Sequence, residues 1–362
     1  MKIINRYLIK EFIPKFLTSL LVFTFILLMD LLFDLSDLLL NKGAGLINTI
    51  KLFIYILPSF FMFTMPMSIL SGTILLFSRL SEDNEILAIR TSGIKILTII
   101  KPIITISLFL SLIMFYFNSS LIPILNSKFK TLYYQILYKN PIMQFSEKNF
   151  VQIQNYDIYV KKISKNNILK KIIIYKWKDD LPTITTAERA EMTVAEDKGI
   201  LFRLYNGKIL QENPKKSGEF NLCNFSENEM FLEIIQNTDF LANREGGMRE
   251  LKSKELLNKA RTGSPEFKNF YLTEFHLRNV LASAGLIFVF VAVPLSISFT
   301  KKRTKSLGIT NVIIIMFIYY IILVTGTTLG KRGAINPMIA VWIPNIIVGF
   351  TGILLLLNIS KK

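Results

Sequence analysis

The chain has almost none of the side chains that carry intrinsic chemistry. One Cys and one His occur in 362 residues. A single thiol excludes an internal disulfide framework, and with a single imidazole it excludes zinc sites of the usual Cys/His type. Resident metal or redox chemistry is therefore not expected, and no cofactor is assigned to the chain. Charge is sparse as well: Asp, Glu, Lys and Arg make up 19% of the residues, against about one quarter in ordinary soluble domains. Acidic residues are the scarcer sign, 26 against 43 basic, which leaves a net charge of +17. A basic excess of that size fits nucleic acid or an anionic membrane surface. The 51% hydrophobic content and the mean hydropathy of +0.42 decide for the membrane.

A helix that crosses a bilayer needs roughly 20 apolar residues. Five charge-free stretches meet that length: Leu52–Ser78, Pro102–Ser127, Asn279–Thr300, Ser306–Gly330 and Gly333–Ser360. A sixth, Phe16–Met29, is shorter, so Asp30 and Asp34 lie within or near the bilayer if it spans. No small-residue cleavage site follows it, which favours a retained first span over a cleaved leader. Six spans place both termini on one side. The segments on that side carry Lys2, Arg6, Lys10, Lys15, Arg79, Arg90, Lys95, Lys101, Lys301, Lys302, Arg303, Lys305, Lys361 and Lys362. The opposite short segments carry only Lys42, Lys51, Arg278, Lys331 and Arg332. The positive-inside rule therefore puts both termini in the cytoplasm.

Between the third and fourth spans lies a polar insert, near Lys128–Asn269, whose Lys and Arg outnumber its Asp and Glu by six. Long domains translocate largely regardless of charge, so this excess does not oppose the orientation. Short β-branched and aromatic runs at Phe150–Ile158, Leu169–Trp177, Ile200–Leu210 and Met230–Ile235 predict strands. Lys198-Gly199 and Asn206-Gly207 predict hairpin turns, and Asn213-Pro214 with Ser217-Gly218 a loop. The expected fold is thus a six-helix membrane bundle with an inserted extracytoplasmic all-β domain, sandwich or jelly roll. Its organisation is residues 1–127 with spans one to three, 128–270 as the β domain and a partly helical connector around Asn243–Pro265, and 271–362 with spans four to six.

No ATP-binding signature is present. The nearest approach, Gly326 to Gly330-Lys331, has three intervening residues and no hydroxyl residue after the lysine. The loop between spans two and three reads Arg79-Leu-Ser-Glu-Asp-Asn-Glu-Ile-Leu-Ala-Ile-Arg-Thr-Ser-Gly93. Ser81 or Asp83 is suited to cap a short amphipathic helix through Glu85, Ile86 and Arg90, with Gly93 as its stop. One reading is a solvated turn; the sharper one is a coupling helix that docks in a groove of a cytoplasmic ATPase.

Asp30, Asp34 and Asp37 follow i, i+4, i+7 and share one helical face. Carboxylates at membrane depth are costly and usually face a bundle interior or a wet cavity. Placement in the outer headgroup zone is the alternative. Glu274 and Arg278 are spaced for a local ion pair, His276 has no relay partner, and the Lys301–Lys305 cluster reads as a topology anchor without the aromatic platform of a nucleic-acid site. Cys223, within a strand-like run, reads as a small buried apolar residue.

The loop Arg79–Gly93 resembles the coupling segment of the LptF/LptG (YjgP/YjgQ) permeases. The resemblance extends through Pro58, Pro66, Asn118 and Pro123, through Glu274-Phe-His-Leu-Arg278, Pro294-Leu295-Ser296 and Tyr319-Tyr320, and to Trp342. It covers essentially the whole chain, although the insert matches mainly by position and strand texture. It implies one half of a heterodimer with a paralogous permease, seated on an LptB-like ATPase dimer that uses the ATP and magnesium. The cargo would be lipopolysaccharide, taken laterally from the outer leaflet of the bacterial inner membrane. A periplasmic jelly roll would then pass it to LptC-like and LptA-like bridge proteins. Glu82, Asp83, Glu85, Ile86 and Arg90 would contact the ATPase, and Asp30, Asp34, Lys42 and Arg278 are candidate lipid contacts. The three aspartates depart from the expected chemistry, since phosphates prefer Lys or Arg. Glu274, Arg278 and Pro294-Leu-Ser lean towards LptF and Lys42-Gly-Ala-Gly towards LptG. A membrane-bound lipid-glycan-modifying enzyme or a scaffold is the competing class, but no paired-carboxylate or histidine constellation supports an enzyme.

Overall fold

A computed structural model of the chain describes residues 2–40, 44–139, 147–153, 155–164, 168–178, 181–195, 199–212, 220–233, 245–263, 265–299 and 306–361. The apolar stretches become long helices: α1 (Lys2–Leu40), α2 (Leu46–Glu82), the short α3 (Glu85–Thr91), and α4 (Ile96–Tyr116). A π turn, Phe117–Leu121, joins α4 to α5 (Ile122–Lys139). After the strands come a 3₁₀ turn (Glu245–Glu250), α6 (Ser253–Thr262), α7 (Pro265–Phe299), α8 (Ser306–Lys331) and α9 (Pro337–Lys361). Among the described residues six helices are long and apolar enough to span, the third running through the π turn. The 39 residues of α1 extend about 58 Å at 1.5 Å per residue, well beyond a hydrocarbon core of roughly 30 Å. Its polar N-terminal turns and its aspartates therefore project past the apolar segment.

The molecule divides into a unit of residues 1–35, 50–129 and 242–362, and a second of residues 36–49 and 130–241. In the first, α2 and α7 are the central helices, each 67% buried over its apolar window, whereas α1 is 22% buried. One apolar cluster joins Leu8 and Phe12 of α1, Phe77 and Leu80 of α2, Ile86 of α3, Ile99 and Ile103 of α4, and Val289 of α7. A second joins Met62 and Leu70 to Val280, Phe288, Tyr319 and Val341. Gly326 and Gly330, the pair that superficially suggested a phosphate loop, form a small-residue seam instead. A Cβ at Gly326 would stand 2.1 Å from the Ala340 carbonyl oxygen, and one at Gly330 would stand 3.4 Å from the Pro337 Cα. Small residues at this spacing let helix backbones approach where water supplies no driving force.

The second unit contains one antiparallel sheet of β1 (Phe150–Ile153), β2 (Tyr156–Ser164), β3 (Ile168–Lys178), β4 (Leu181–Ala195), β5 (Gly199–Glu212) and β6 (Phe220–Glu233), in chain order. Ile153 pairs with Tyr156, so the run Phe150–Ile158 is two strands. β4 lay in a segment too rich in Thr, Glu and Ala to read as a strand, and Met230–Ile235 marks only the end of the longer β6. Asn206-Gly207 is not a hairpin. It lies inside β5, with Asn206 at φ 50°.

Its neighbours explain why. The pairs 161–171, 171–188, 188–206 and 206–226 are missing from otherwise continuous ladders. They form one column across five strands, and Lys171 in that column is also left-handed, at φ 52°. On each side of the column the inward set changes parity: Ile172 and Ile174 against Leu169, and Ala187 against Ala190 and Met192. The column is a crease, and residues on both sides of it share one apolar core with Ile158, Val160, Phe202 and Leu204.

Ala195 pairs with Gly199 at the ends of β4 and β5; Lys198 lies outside the described residues, as do Asn213-Pro214 and Ser217-Gly218. Cys223 is exposed on β6, not buried as its strand-like surroundings suggested. Among the described residues β6 is an edge strand, paired on one side with β5.

Candidate functional site

The loop between α2 and α3 folds as a tight break followed by a seven-residue helix. The predicted caps differ from the observed one. Ser81 and Glu82 continue α2, and Asn84, at φ 57°, takes the cap position without a side-chain bond. Asn tolerates the left-handed region better than other non-glycine residues. Gly93, at φ 82°, ends the helix as its sequence position predicted, its amide donating to the Arg90 carbonyl at 2.9 Å.

Ile86 is 4% exposed and points into the cluster formed by α1, α2 and α4, so it anchors α3 to its own bundle. Glu85 is held by the start of α1: the Tyr7 hydroxyl lies 2.9 and 3.0 Å from its two carboxylate oxygens. Beside this pair, Arg79 bonds Glu11, and through Nε it bonds Asp83 at 3.3 Å; Lys15 donates to Glu11 at 2.7 Å. Exposed ion pairs are individually weak, but the chain Lys15–Glu11–Arg79–Asp83 lies beside Tyr7–Glu85. Together they fasten the α2–α3 break to the first turns of α1.

Glu82, Asp83 and Leu87 face outward, Leu87 being 60% exposed. Arg90 is half-buried and forms no side-chain ion pair among the described residues. Leu87 carries no charge and so does not stand out in the sequence as its acidic neighbours do. Its signal was there, since it lies off the Ile86–Ile89 stripe by one residue, hence about 100° around the helix.

The other candidates separate. Asp30 and Asp34 are exposed on α1 and Asp37 is half-buried, all on the one continuous helix that their spacing required. Lys42 and the Lys301–Lys305 cluster lie outside the described residues. Arg278 is turned inward, 3% exposed. Its Nε donates to Glu274 at 3.1 Å, and its two terminal nitrogens donate to the carbonyls of Leu251 at 2.7 Å and Met248 at 3.0 Å. The Arg278 carbonyl in turn accepts from Asn118 Nδ2 at 3.0 Å, in the π turn. Arg278 is thus a clamp joining α7, the connector and the π turn, with one donor from each of its three nitrogens used inside the chain. Asn118, Asn345 and the two tyrosines belong to the same class of interior polar joints. Tyr319 donates to Asn345 at 2.8 Å, Asn345 donates to the Val280 carbonyl at 3.0 Å, and Tyr320 donates to the Phe63 carbonyl at 3.0 Å. His276 accepts from Trp342 Nε1 at 3.4 Å.

In the β domain, Arg203 is bracketed by Glu229 at 2.9 Å and Glu227 at 3.6 Å. The hydrogen bond it donates to Glu229 pushes its pKa further up, so its charge is fixed. Among the described residues no group of three or more His, Cys, Asp or Glu is placed to hold a metal ion.

Comparison with known proteins bears on these features together. The family model described as lipopolysaccharide export system permease LptF/LptG matches residues 6–358. An uncharacterized protein of Rickettsia prowazekii (strain Madrid E), RP871, is 22% identical over 331 residues, covering 88% of this chain and 89% of its own length.

Proposed function

Because the chain belongs to the LptF/LptG family of lipopolysaccharide export permeases, a multi-pass membrane protein of a transporter, we propose that it is one permease subunit of an ATP-driven lipopolysaccharide extractor in the bacterial inner membrane. Both termini face the cytoplasm and the β domain the periplasm. The partners are a paralogous permease subunit, an LptB-like ATPase dimer that consumes ATP with magnesium, and LptC-like and LptA-like bridge proteins that receive the lipid. The chain itself performs no covalent chemistry.

The observation that carries this reading is the α3 assembly. A short helix is seated by Ile86, offers Glu82, Asp83 and Leu87 outward, and is bonded through Glu85 to α1. Closure of an ATPase pushing on α3 is passed directly to α1, the span whose large unburied apolar surface includes Leu17, Leu21, Phe25 and Phe33. Such surface in a membrane serves lipid or a partner helix. Lipopolysaccharide enters beside α1, and the outward-facing Asp30 and Asp34, with Lys42, meet its headgroup through divalent cations or through bases of the partner subunit. The creased six-stranded sheet acts as the jelly-roll-like slide for the acyl chains.

The experiment is reconstitution of the chain with its paralogue and ATPase in proteoliposomes loaded with lipopolysaccharide. ATP-dependent release of lipid to an added bridge protein supports the reading; ATP hydrolysis with no release opposes it.

A further inference from the structure

We propose that the β domain carries a saccharide-binding cleft on the face of its sheet opposite the apolar core. Strand alternation builds it. Ile158, Val160, Ile172 and Ile174 are buried on one face, which turns Asp157, Tyr159, Tyr175 and Trp177 to the other. Register then gathers them. Gln152 pairs with Asp157, Asp157 with Tyr175, and Phe150 with Tyr159. Phe150, Gln152, Asp157, Tyr175 and Trp177 line a cleft of about 510 Å³, inside the roughly 300–1,000 Å³ range of small-ligand sites.

The composition of the cleft selects the ligand. Phe150 is 61% exposed and Trp177 45% exposed, an unusual display of large aromatic surface on strands that have a core to fill. Their rings are held: Phe150 packs at 5.1 Å from Tyr159 and 6.1 Å from Tyr175, and the Trp177 indole N–H donates to Asp157 Oδ2 at 2.8 Å. That bond fixes the carboxylate and leaves Oδ1 without a hydrogen bond among the described residues. An acyl chain in the cleft would leave Asp157 and Gln152 unpaired, at a cost. A phosphate or carboxylate would be repelled by Asp157. A pyranose satisfies both halves: its C–H face stacks on electron-rich rings, and its hydroxyls donate to a carboxylate and an amide oxygen. The ligand is therefore a neutral, hydroxyl-rich sugar. The cleft rests on its own geometry. Only the source of the sugar, the glycan of the cargo, rests on the permease reading.

The chain has two tryptophans, so Trp342→Phe leaves Trp177 as the sole reporter. The full chain in detergent is titrated with the lipid-free oligosaccharide released from lipopolysaccharide by mild acid, dephosphorylated and with its carboxyl groups reduced so that it is neutral, and separately with inorganic phosphate. The oligosaccharide is expected to change Trp177 emission saturably, phosphate to leave it unchanged, and Asp157→Asn or Phe150→Ala to weaken binding about tenfold. The unmutated chain gives the same saturable change over a constant Trp342 background, should the Phe variant fold poorly. No saturable response, or one undiminished by both substitutions, overturns the cleft. If lipopolysaccharide and the ATPase co-purify with a chain that gives no such response, only the cleft fails. If the oligosaccharide binds but neither co-purifies, the permease reading fails and the cleft stands.

Discussion

The Tyr7 hydroxyl and the Glu85 carboxylate, 78 residues apart in sequence, lie 2.9 Å apart at their closest approach, joining the first turns of α1 to the first residue of α3. The carboxylate that family resemblance would direct at an ATPase is thus shared with the chain's own first helix. Hydrogen bonds to charged groups contribute about 1.5–3 kcal/mol. Tyr7→Phe removes this link without changing shape or charge. It is expected to leave assembly intact and to lower lipid released per ATP hydrolysed several-fold, measured as the ratio of transport to hydrolysis in proteoliposomes. An unchanged ratio would show that Tyr7 is not part of the relay.

Arg278 is expected to matter for stability. Replacing it with Met leaves Glu274 and the Leu251 carbonyl without the Arg278 donors, and leaves the Met248 carbonyl only the Leu251 amide at 3.3 Å. Breaking one side of a buried pair costs about 3–5 kcal/mol. Thermal unfolding in detergent should show a large loss for Arg278→Met and a partial recovery when Glu274→Met is added. Equal losses in single and double variants would mean that the carbonyl bonds, not the ion pair, dominate.

Gly326→Ala places a methyl against the Ala340 carbonyl, and overpacking of this kind costs about 1–3 kcal/mol. The expected result is a lower melting temperature, with Thr328→Ala, at an exposed position of the same helix, as the neutral comparison.

These two sites also show how much the sequence disclosed. The spans, the insert, the helix after Arg79 and its stop at Gly93 were all legible, because apolar length and turn chemistry act locally. The Glu274–Arg278 pairing was legible from spacing, but its carbonyl partners were not, since they come from a connector that only tertiary folding brings near. Asn206-Gly207 misled because the same left-handed residue that closes a hairpin also creases a strand. Only the neighbours Lys171 and Glu188, aligned by register, distinguish the two. Tyr7 carried no pattern at all, and Leu87 was marked only by its offset from the Ile86–Ile89 stripe.

The crease makes its own prediction. Lys171 holds a left-handed conformation that costs a non-glycine residue about 1–2 kcal/mol. Lys171→Gly should therefore stabilise the β domain by roughly 0.5–1 kcal/mol, read by urea unfolding, whereas Asn206→Val should destabilise it. A loss on Lys171→Gly would mean that the lysine side chain itself supports the sheet.

Cys223 is exposed and is the one cysteine of the sequence, which makes it a probe of orientation. In cells with a permeabilised outer membrane, a membrane-impermeant maleimide should label Cys223, and should fail to label Cys223→Ser carrying Ser92→Cys. The reverse pattern would invert the topology.

The central claim, that the chain moves lipopolysaccharide with an engine supplied by another protein, is tested most directly by mass spectrometry of the complex purified from native membranes through a tag on this chain. The account predicts three things in one assembly: bound lipopolysaccharide, a second six-span permease and two copies of a cytoplasmic ATPase. A pure, monodisperse preparation containing neither ATPase nor lipopolysaccharide would contradict it.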